Sequence, residues 1–308
     1  MKIVTLIPSA TEIVSFLGQK RFIVGRSHEC DFPKDLSKVT KITEPKINVE
    51  GSSSEIHNQL EVILENSLSV YKVHLDELKK LEPDFIVTQS HCEVCAVSFA
   101  EVESITKNHL GENTQIISLQ PNSLKEVFDD IKRVAKKLKV EDSHNLKLIN
   151  NLEMRLNNIK EKTKNLKKPK ILCVEWIDPL MAAGNWMPEM SKIAGGKDIL
   201  GKSGVDSHWI NFEDIQINEP EHIVFMPCGF NINKTKDEVI QLLKKNNSWK
   251  NLKAYKNKKF YIADGNQYFN RPGPRLIDSI EILSEIFHPN LFNFGHKGNG
   301  WINFFGKE

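Results

Sequence analysis

Nowhere in the 308 residues does an apolar run reach the roughly 18 residues that a membrane-crossing helix needs, so membrane insertion is not expected. An excess of one charge is equally absent. Forty-two basic and 40 acidic residues leave a formal net charge of +2, and no global field draws nucleic acid or an anionic surface to such a chain. Cysteine is sparse, and the odd count of five argues for thiols rather than a disulfide frame. The first strand, from Lys2, passes straight into Pro8-Ser9-Ala10-Thr11 with no stretch of signal-peptide length before it, so a cytoplasmic location is expected. Catalytic signatures are scarce too: there is no Gly-x-Gly-x-x-Gly, no His-Glu-x-x-His and no Gly-x-Ser-x-Gly elbow. His208, Glu213 and Asp214 offer acid–base groups with no nucleophile to serve. An enzyme is not expected.

What is present is alternation. Short apolar strands at Lys2–Leu6, Phe22–Gly25, Asp84–Thr88 and Gln115–Leu119 alternate with helical patterns over Glu12–Leu17, Leu75–Leu81 and Phe99–Leu110. Ser9 or Thr11 is placed to cap the first helix and Gly18 to stop it. Ser123 and Glu126 form a capping-box pattern that opens a helix to Leu138. Asp142 or Ser143 caps another, with Leu146, Ile149, Leu152, Leu156 and Ile159 on one face; at about 23 residues it is roughly 35 Å long. Strands at Lys170–Val174, His222–Met226 and Phe260–Ala263 then alternate with helices at Met187–Ala194, Asp237–Leu243 and Leu276–Ile286. Such an order implies parallel pairing with crossovers. Glu82-Pro83-Asp84-Phe85-Ile86-Val87 echoes Glu219-Pro220-Glu221-His222-Ile223-Val224, each being a helix end, a proline break and a buried strand. The expected fold is α/β, with two Rossmann-like lobes and a ligand cleft between them. An N-terminal lobe spans 1–140, a long rigid linking helix 141–168 and a C-terminal lobe 169–308.

Ligands of parallel α/β sheets bind outside the carboxyl ends of the strands, and here those loops hold the unusual residues. His28, Glu29 and Cys30 follow the second strand; Cys92 and Cys95 follow Asp84–Thr88; Trp176 follows Lys170–Val174, with Trp186 soon after; Cys228 follows His222–Met226; Tyr268, Phe269 and Arg271 follow Phe260–Ala263. Trp176, Trp186, Trp209, Tyr268 and Phe269 together make an apolar surface suited to a flat ligand, against the plainer alternative that each is ordinary packing. Arg271 has a planar fork for a carbonyl or carboxylate, or else serves as a helix cap or surface ion pair. The loop thiols Cys30, Cys92, Cys95 and Cys228, with His28 and His91 near, suit a transition metal or cluster; the alternative is small buried hydrophobes at strand ends. Cys173, inside a strand, reads as core.

In this order the residues resemble the class III substrate-binding proteins of ABC importers, the cobalamin and iron-siderophore binding family. The likeness runs through Ile3-Val4-Thr5-Leu6-Ile7-Pro8-Ser9-Ala10-Thr11-Glu12, Val24-Gly25-Arg26-Ser27, Asp31-Phe32-Pro33, Leu81 to Val87, Ala194-Gly195-Gly196 and Tyr268 to Arg275. It implies two lobes on a helical spine and a small-molecule ligand, a cobalamin-like corrinoid, with haem and siderophore as the other candidates. Tyr268 and Arg271 fall where the cobalamin binder has an aromatic and an arginine contact, whereas Glu29 stands in place of a tyrosine. Family members dock on a permease through one glutamate per lobe. Glu55 matches the first position and Lys192 the second, which counts against an ABC permease as partner. The loop thiols resemble a signal-less, cobalamin-binding subgroup.

Overall fold

The computed structural model describes residues 1–66, 69–90, 96–111 and 113–306. They divide into two compact units, one of Met1–Gly51, Glu55–Pro121 and Lys125–Ile149, the other of Ser52–Ser54, Asn122–Leu124 and everything from Asn150 onward. The first half of the chain carries β1 (Ile3–Thr5), α1 (Pro8–Phe16), β2 (Ile23–Arg26), β3 (Thr40–Lys41), β4 (Thr43–Pro45), α2 (Ser53–Glu65), β5 (Tyr71–Val73), α3 (Leu75–Leu81), β6 (Phe85–Gln89), α4 (Phe99–Ile105), β7 (Gln115–Leu119), α5 (Leu124–Lys137) and α6 (Asp142–Thr163). Five strands form an all-parallel sheet in the order β3-β2-β1-β6-β7, while β4 and β5 pair antiparallel beside it.

The second half carries β8 (Lys170–Trp176), β9 (Met181–Ala182), α7 (Met187–Ile193), β10 (Lys197–Asp198), β11 (His208–Trp209), α8 (Phe212–Asn218), β12 (His222–Phe225), α9 (Ile232–Lys245), α10 (Lys253–Lys256), β13 (Phe260–Ala263), α11 (Leu276–Phe287) and β14 (Trp301–Asn303). Its sheet runs β11-β9-β8-β12-β13-β14, with β10 also beside β8. The centre is parallel; β9, β11 and β14 join antiparallel. Parallel strands are covered on both faces, so they read as unbroken apolar runs, and Ile3, Val4, Ile86, Val87, Ile171, Leu172, Ile223 and Val224 are accordingly sealed from solvent. Beneath the second sheet, Trp249 sits among Phe212, Phe225 and Phe260 at ring separations of 5.1, 6.0 and 6.1 Å.

The sequence echo has a structural counterpart. Glu82 and Glu219 each end a seven-residue helix in the left-handed region, at φ 47° in both. A proline follows, and then β6 or β12, each beside the first strand of its sheet. The match extends to an acid after the proline. Asp84 accepts the Lys2 backbone N–H at 2.6 Å while its own N–H donates to the Lys2 carbonyl; Glu221 and Lys170 repeat this at 3.0 and 2.8 Å. One clamp thus sets the register of the leading strand pair in each unit.

Several local expectations need correction. α1 opens with Pro8 in its first turn and Ile7 at the N-cap, with no side-chain cap. Proline leaves no N–H there to satisfy, so Ser9 and Thr11 fall inside the helix instead of capping it. α4 runs on into a π-helical turn over Thr106–Leu110. α9 begins at Ile232, earlier than Asp237, because the Asn231 side chain accepts the Lys234 N–H. Leu146 is exposed on α6, whereas Ile149, Leu152 and Ile159 are buried. At the carboxyl end, Glu285 of α11 gathers the N–H groups of Phe294, Gly295 and His296 and the Trp301 indole, which seats β14 on β13.

Holding a glutamate at φ 47° costs about 1–2 kcal/mol that glycine does not incur, less glycine's larger loss of backbone freedom on folding. Glu82→Gly and Glu219→Gly are each expected to raise unfolding free energy by roughly 0.5–1 kcal/mol in urea denaturation; a loss of stability at both positions would contradict this account.

Candidate functional site

At the carboxyl ends of β1 and β2 the first unit buries a polar network. Thr5 and Thr11 share a hydroxyl bond of 2.7 Å, and Thr11 donates to the Cys30 sulfur at 2.9 Å. Arg26, itself buried, spends its guanidinium on the carbonyls of Leu36, Ser27, Cys30 and Ser37 at 3.0, 3.2, 2.6 and 3.0 Å. That clasp fixes the path of the loop carrying His28, Glu29 and Cys30. The His28 backbone N–H and its Nδ1 both meet Thr43 Oγ1, at 3.1 and 2.7 Å, and Thr43 in turn donates to Ser27 at 3.1 Å. The His28 ring lies 5.2 Å from that of Tyr71, whose hydroxyl donates to Glu29 at 2.9 Å. Burial, helped by Lys41, pushes the His28 pKa down to about 4, so the imidazole is neutral.

In the second unit the loops after β8, β12 and β13 interlock through main-chain bonds. The Cys228 N–H donates to the Glu175 carbonyl at 3.2 Å and Asn266 N–H to the Phe230 carbonyl at 3.1 Å. Asn270 spans the carbonyls of Met226 and Gly265, both at 3.1 Å. The strands' ends cross so closely at Gly265 that a Cβ there would stand 2.1 Å from the Pro227 carbonyl oxygen; only glycine fits. Arg271 is buried and reaches Asn266 Oδ1 at 3.0 Å. Tyr268 packs edge-on to Phe269 and His296, and the Arg275 guanidinium stands 5.3 Å from its ring centre.

Trp176 is half-buried against Phe230 at 5.3 Å, and Lys234 lies 4.0 Å over the Phe230 ring. The Trp176 indole N–H is enclosed without a hydrogen-bond partner among the described residues. Glu175 keeps some exposed surface as a residue, yet its carboxyl is enclosed, and burial pushes its pKa up to about 7. Ser207 donates to it at 2.8 Å, which opposes the shift, and Asp206 adds to it. Asp198 is pushed by burial to about 6 even though Leu200 and Gly201 donate to it.

The broad aromatic surface expected from the sequence does not form as drawn. Trp186 is buried and donates to the Phe269 carbonyl at 2.8 Å, and Phe269 is sealed in the core at φ 64°. Both indole and phenyl ring are consumed by packing, whereas Trp209 is exposed on β11. Trp176, the last residue of β8, and Tyr268, in the loop after β13, remain partly exposed. Cys173 is fully buried in β8, as read from the sequence. Cys92 and Cys95 lie outside the described residues. Cys30 belongs to the first unit and the partly exposed Cys228 to the second. Among the described residues no group of three or more His, Cys, Asp or Glu side chains is placed to hold a metal, so the cysteine metal site finds no support there.

Asp214 resolves as half of a reciprocal capping box with Asn211 at the start of α8. Gly196 to Ser203 spells Gly-x-x-x-x-Gly-Lys-Ser, but it follows α7, contains β10 and leads through turns to β11. A phosphate loop needs a strand before it and a helix N-terminus after it, and this segment has neither. A groove of about 420 Å³ at the far end of α9, lined by Ile240, Leu243, Lys244, Lys250, Tyr255 and Phe304, lies away from these loops. Thr43, Tyr71 and Ser207 are not singled out from the sequence, and Ser27 enters there only through the family likeness. Their one signal is hydroxyl density beside loops that carry an imidazole or a carboxylate.

Comparison with known proteins places the chain in context. A family model described as periplasmic binding protein matches residues 3–266. An uncharacterized ABC transporter substrate-binding lipoprotein of Bacillus subtilis, YvrC, is 26% identical over 94% of this chain and 81% of its own length. A vitamin B12-binding protein of Vibrio vulnificus is 21% identical over 93% and 89%. The crystal structure of S. aureus IsdE complexed with heme superposes at a TM-score of 0.69, with 19% identity, covering 94% of this chain and 99% of that one. The doubt over a permease partner gains no support from these relatives.

Glu175 and Asp198 generate a pH prediction. Well below pH 4 both carboxyls are protonated in folded and unfolded chains alike. As pH rises the unfolded chain loses these protons first, so it binds fewer than the native state and stability falls until the folded groups titrate near pH 6 and 7. Glu175→Gln keeps an acceptor for Ser207 and removes its share, so between pH 5 and 8 it should lose less stability than the parent, by on the order of 2–3 kcal/mol. Parallel pH–stability curves in urea would refute the assignment.

Proposed function

We propose, from the premise that this chain belongs to the periplasmic binding protein family, that it binds a corrinoid of the cobalamin type at the loops beyond the carboxyl ends of its parallel strands. The observation that carries this reading is Trp176: a tryptophan at the end of β8, packed at a tilt against Phe230, with an enclosed indole N–H that no group among the described residues accepts. A buried donor without a partner costs about 1–3 kcal/mol, which a ligand carbonyl at that position would recover. Tyr268, with Arg275 over its ring, and the neighbouring Arg271 offer a second aromatic face and a fixed cation on the β13 loop. The vitamin B12-binding relative supports the corrinoid in particular. Haem is the second reading, favoured by the likeness to a protein solved with heme.

The role is binding rather than catalysis, in keeping with the family. An ABC permease is a fitting partner on the strength of the Bacillus relative's description. The reading extends to a reducing compartment, supported by Cys173 and Cys228 standing as thiols; cell fractionation tests it, with recovery in an oxidising compartment counting against it.

Titration of the purified chain with cyanocobalamin should give saturable quenching of tryptophan fluorescence. Trp176→Phe keeps an aromatic ring against Phe230 and removes the donor, and it is expected to weaken binding about five- to thirtyfold. Absence of any saturable response to cobalamin, with a response to haem instead, would transfer the assignment to the second reading.

A further inference from the structure

Between Glu238 and Asp264 the chain carries seven lysines and no acidic residue, a local excess that the near-neutral whole conceals. Lysine is favoured at the negative end of a helix, which accounts for Lys244 and Lys245 in the last turn of α9. That effect does not account for the want of acids over the whole stretch. Two of the seven lysines are spent, Lys245 on Asp178 at 2.7 Å and Lys253 on Glu221 at 3.4 Å. Lys244, Lys250, Lys256 and Lys258 are exposed and form no ion pair among the described residues.

Lys244 and Lys250 stand on the groove at the far end of α9. Ile240, Leu243 and Lys244 reach it from one face of the helix, at the spacing that brings side chains together, and Tyr255 and Phe304 supply aromatic walls. Tyr255 is wedged edge-on against Phe260 and Phe305, at ring separations of 5.4 and 4.9 Å, so that wall is held in place. No acid lines the groove, and its volume of about 420 Å³ falls within the range of ligand sites. An apolar concavity rimmed by unpaired cations is complementary to an apolar group flanked by negative charge.

We propose that this groove docks an acidic segment of a partner protein, with a bulky apolar side chain against Ile240, Leu243 and Phe304 and carboxylates against Lys244 and Lys250. Lys256 and Lys258 carry the positive charge beyond the groove, farther than one small anion needs. The aliphatic surface of Ile240 and Leu243 suits a side chain better than a nucleobase, because bases stack on flat aromatic faces. α9 leaves the β12 loop beside Phe230 and runs back against the strand direction before the chain enters β13, parallel to β12. Its far end therefore lies at the amino ends of the sheet. A segment docked there leaves the loops at the carboxyl ends free, and the proposal stands apart from the corrinoid reading.

A fluorescein-labelled peptide with a central Leu-Phe pair between runs of glutamate supplies the test. Mixed with the full chain at low ionic strength, it should give a saturable rise in anisotropy that weakens as salt is added. Lys244→Glu combined with Lys250→Glu should weaken binding about ten- to a hundredfold, whereas the same charge change at the exposed Lys167 and Lys168 should cost about twofold or less. Exchanging the Leu-Phe pair for Ser-Ser should weaken binding to the wild-type chain about tenfold or more. That arm needs no variant, so it decides even where charge reversal prevents folding. Equal losses at the two lysine pairs, indifference to the Ser-Ser exchange, or tighter binding of a single-stranded oligonucleotide at the same salt would each overturn the proposal. Competition by cyanocobalamin would move the peptide to the carboxyl-end loops and overturn it too, as would the absence of saturable binding.

Discussion

Everything in this chain depends on how the first strand of each sheet is registered against its central neighbour. Two parallel strands cannot be joined by a tight turn, so nothing local fixes their alignment. Here an acidic side chain supplies the missing constraint. Asp84 and Glu221 each stand just after a proline, and each closes a two-way bond with the backbone of the lysine that opens the neighbouring strand. A slip of one residue would turn Ile3, Val4, Ile171 and Leu172 to the wrong faces. The left-handed glutamate before each proline brings the chain out of its helix at the angle the clamp requires.

With register fixed at the amino ends, the irregular chemistry collects at the carboxyl ends. The two units solve the same problem with different materials. The first uses hydroxyls and one arginine: Thr5, Thr11, Ser27 and Thr43 pass hydrogen bonds along the loop, and Arg26 satisfies carbonyls that a sheet would otherwise have paired. The second uses backbone against backbone, with Gly265 pressed on Pro227 and Asn270 bridging two loops. Rigid loops of this kind leave a few groups unmatched, and the Trp176 indole N–H and His28 Nε2 are two that find no partner among the described residues.

The fold was largely legible because parallel strands advertise themselves. Continuous apolar runs, proline breaks and the Glu-Pro echo located β1, β6, β7, β8, β12 and β13 to within a residue or two. The short antiparallel pieces β9, β11 and β14 escaped notice, since two or three residues carry no periodicity and their pairing is decided by the sheet they join. Among site residues the sequence located loops better than roles. It grouped Trp186 and Phe269 with the surface aromatics, but an indole N–H within reach of a main-chain carbonyl drew both into the core. It passed over Thr43 and Tyr71, which matter only because β4 and β5 bring them beside the β2 loop, a relation of sequence-distant residues that no local pattern encodes.

The single carboxylate of Glu285 has a bearing on how this chain tolerates change. It satisfies three successive amides and an indole, so the position of the closing strand is dictated from α11 and hardly at all by the residues that precede the strand. Backbone amides are common to nearly every amino acid. Related chains are therefore at liberty to vary the stretch between α11 and β14 in composition, provided that the helix keeps its acid and the strand its tryptophan, and the edge of the sheet will still be found closed.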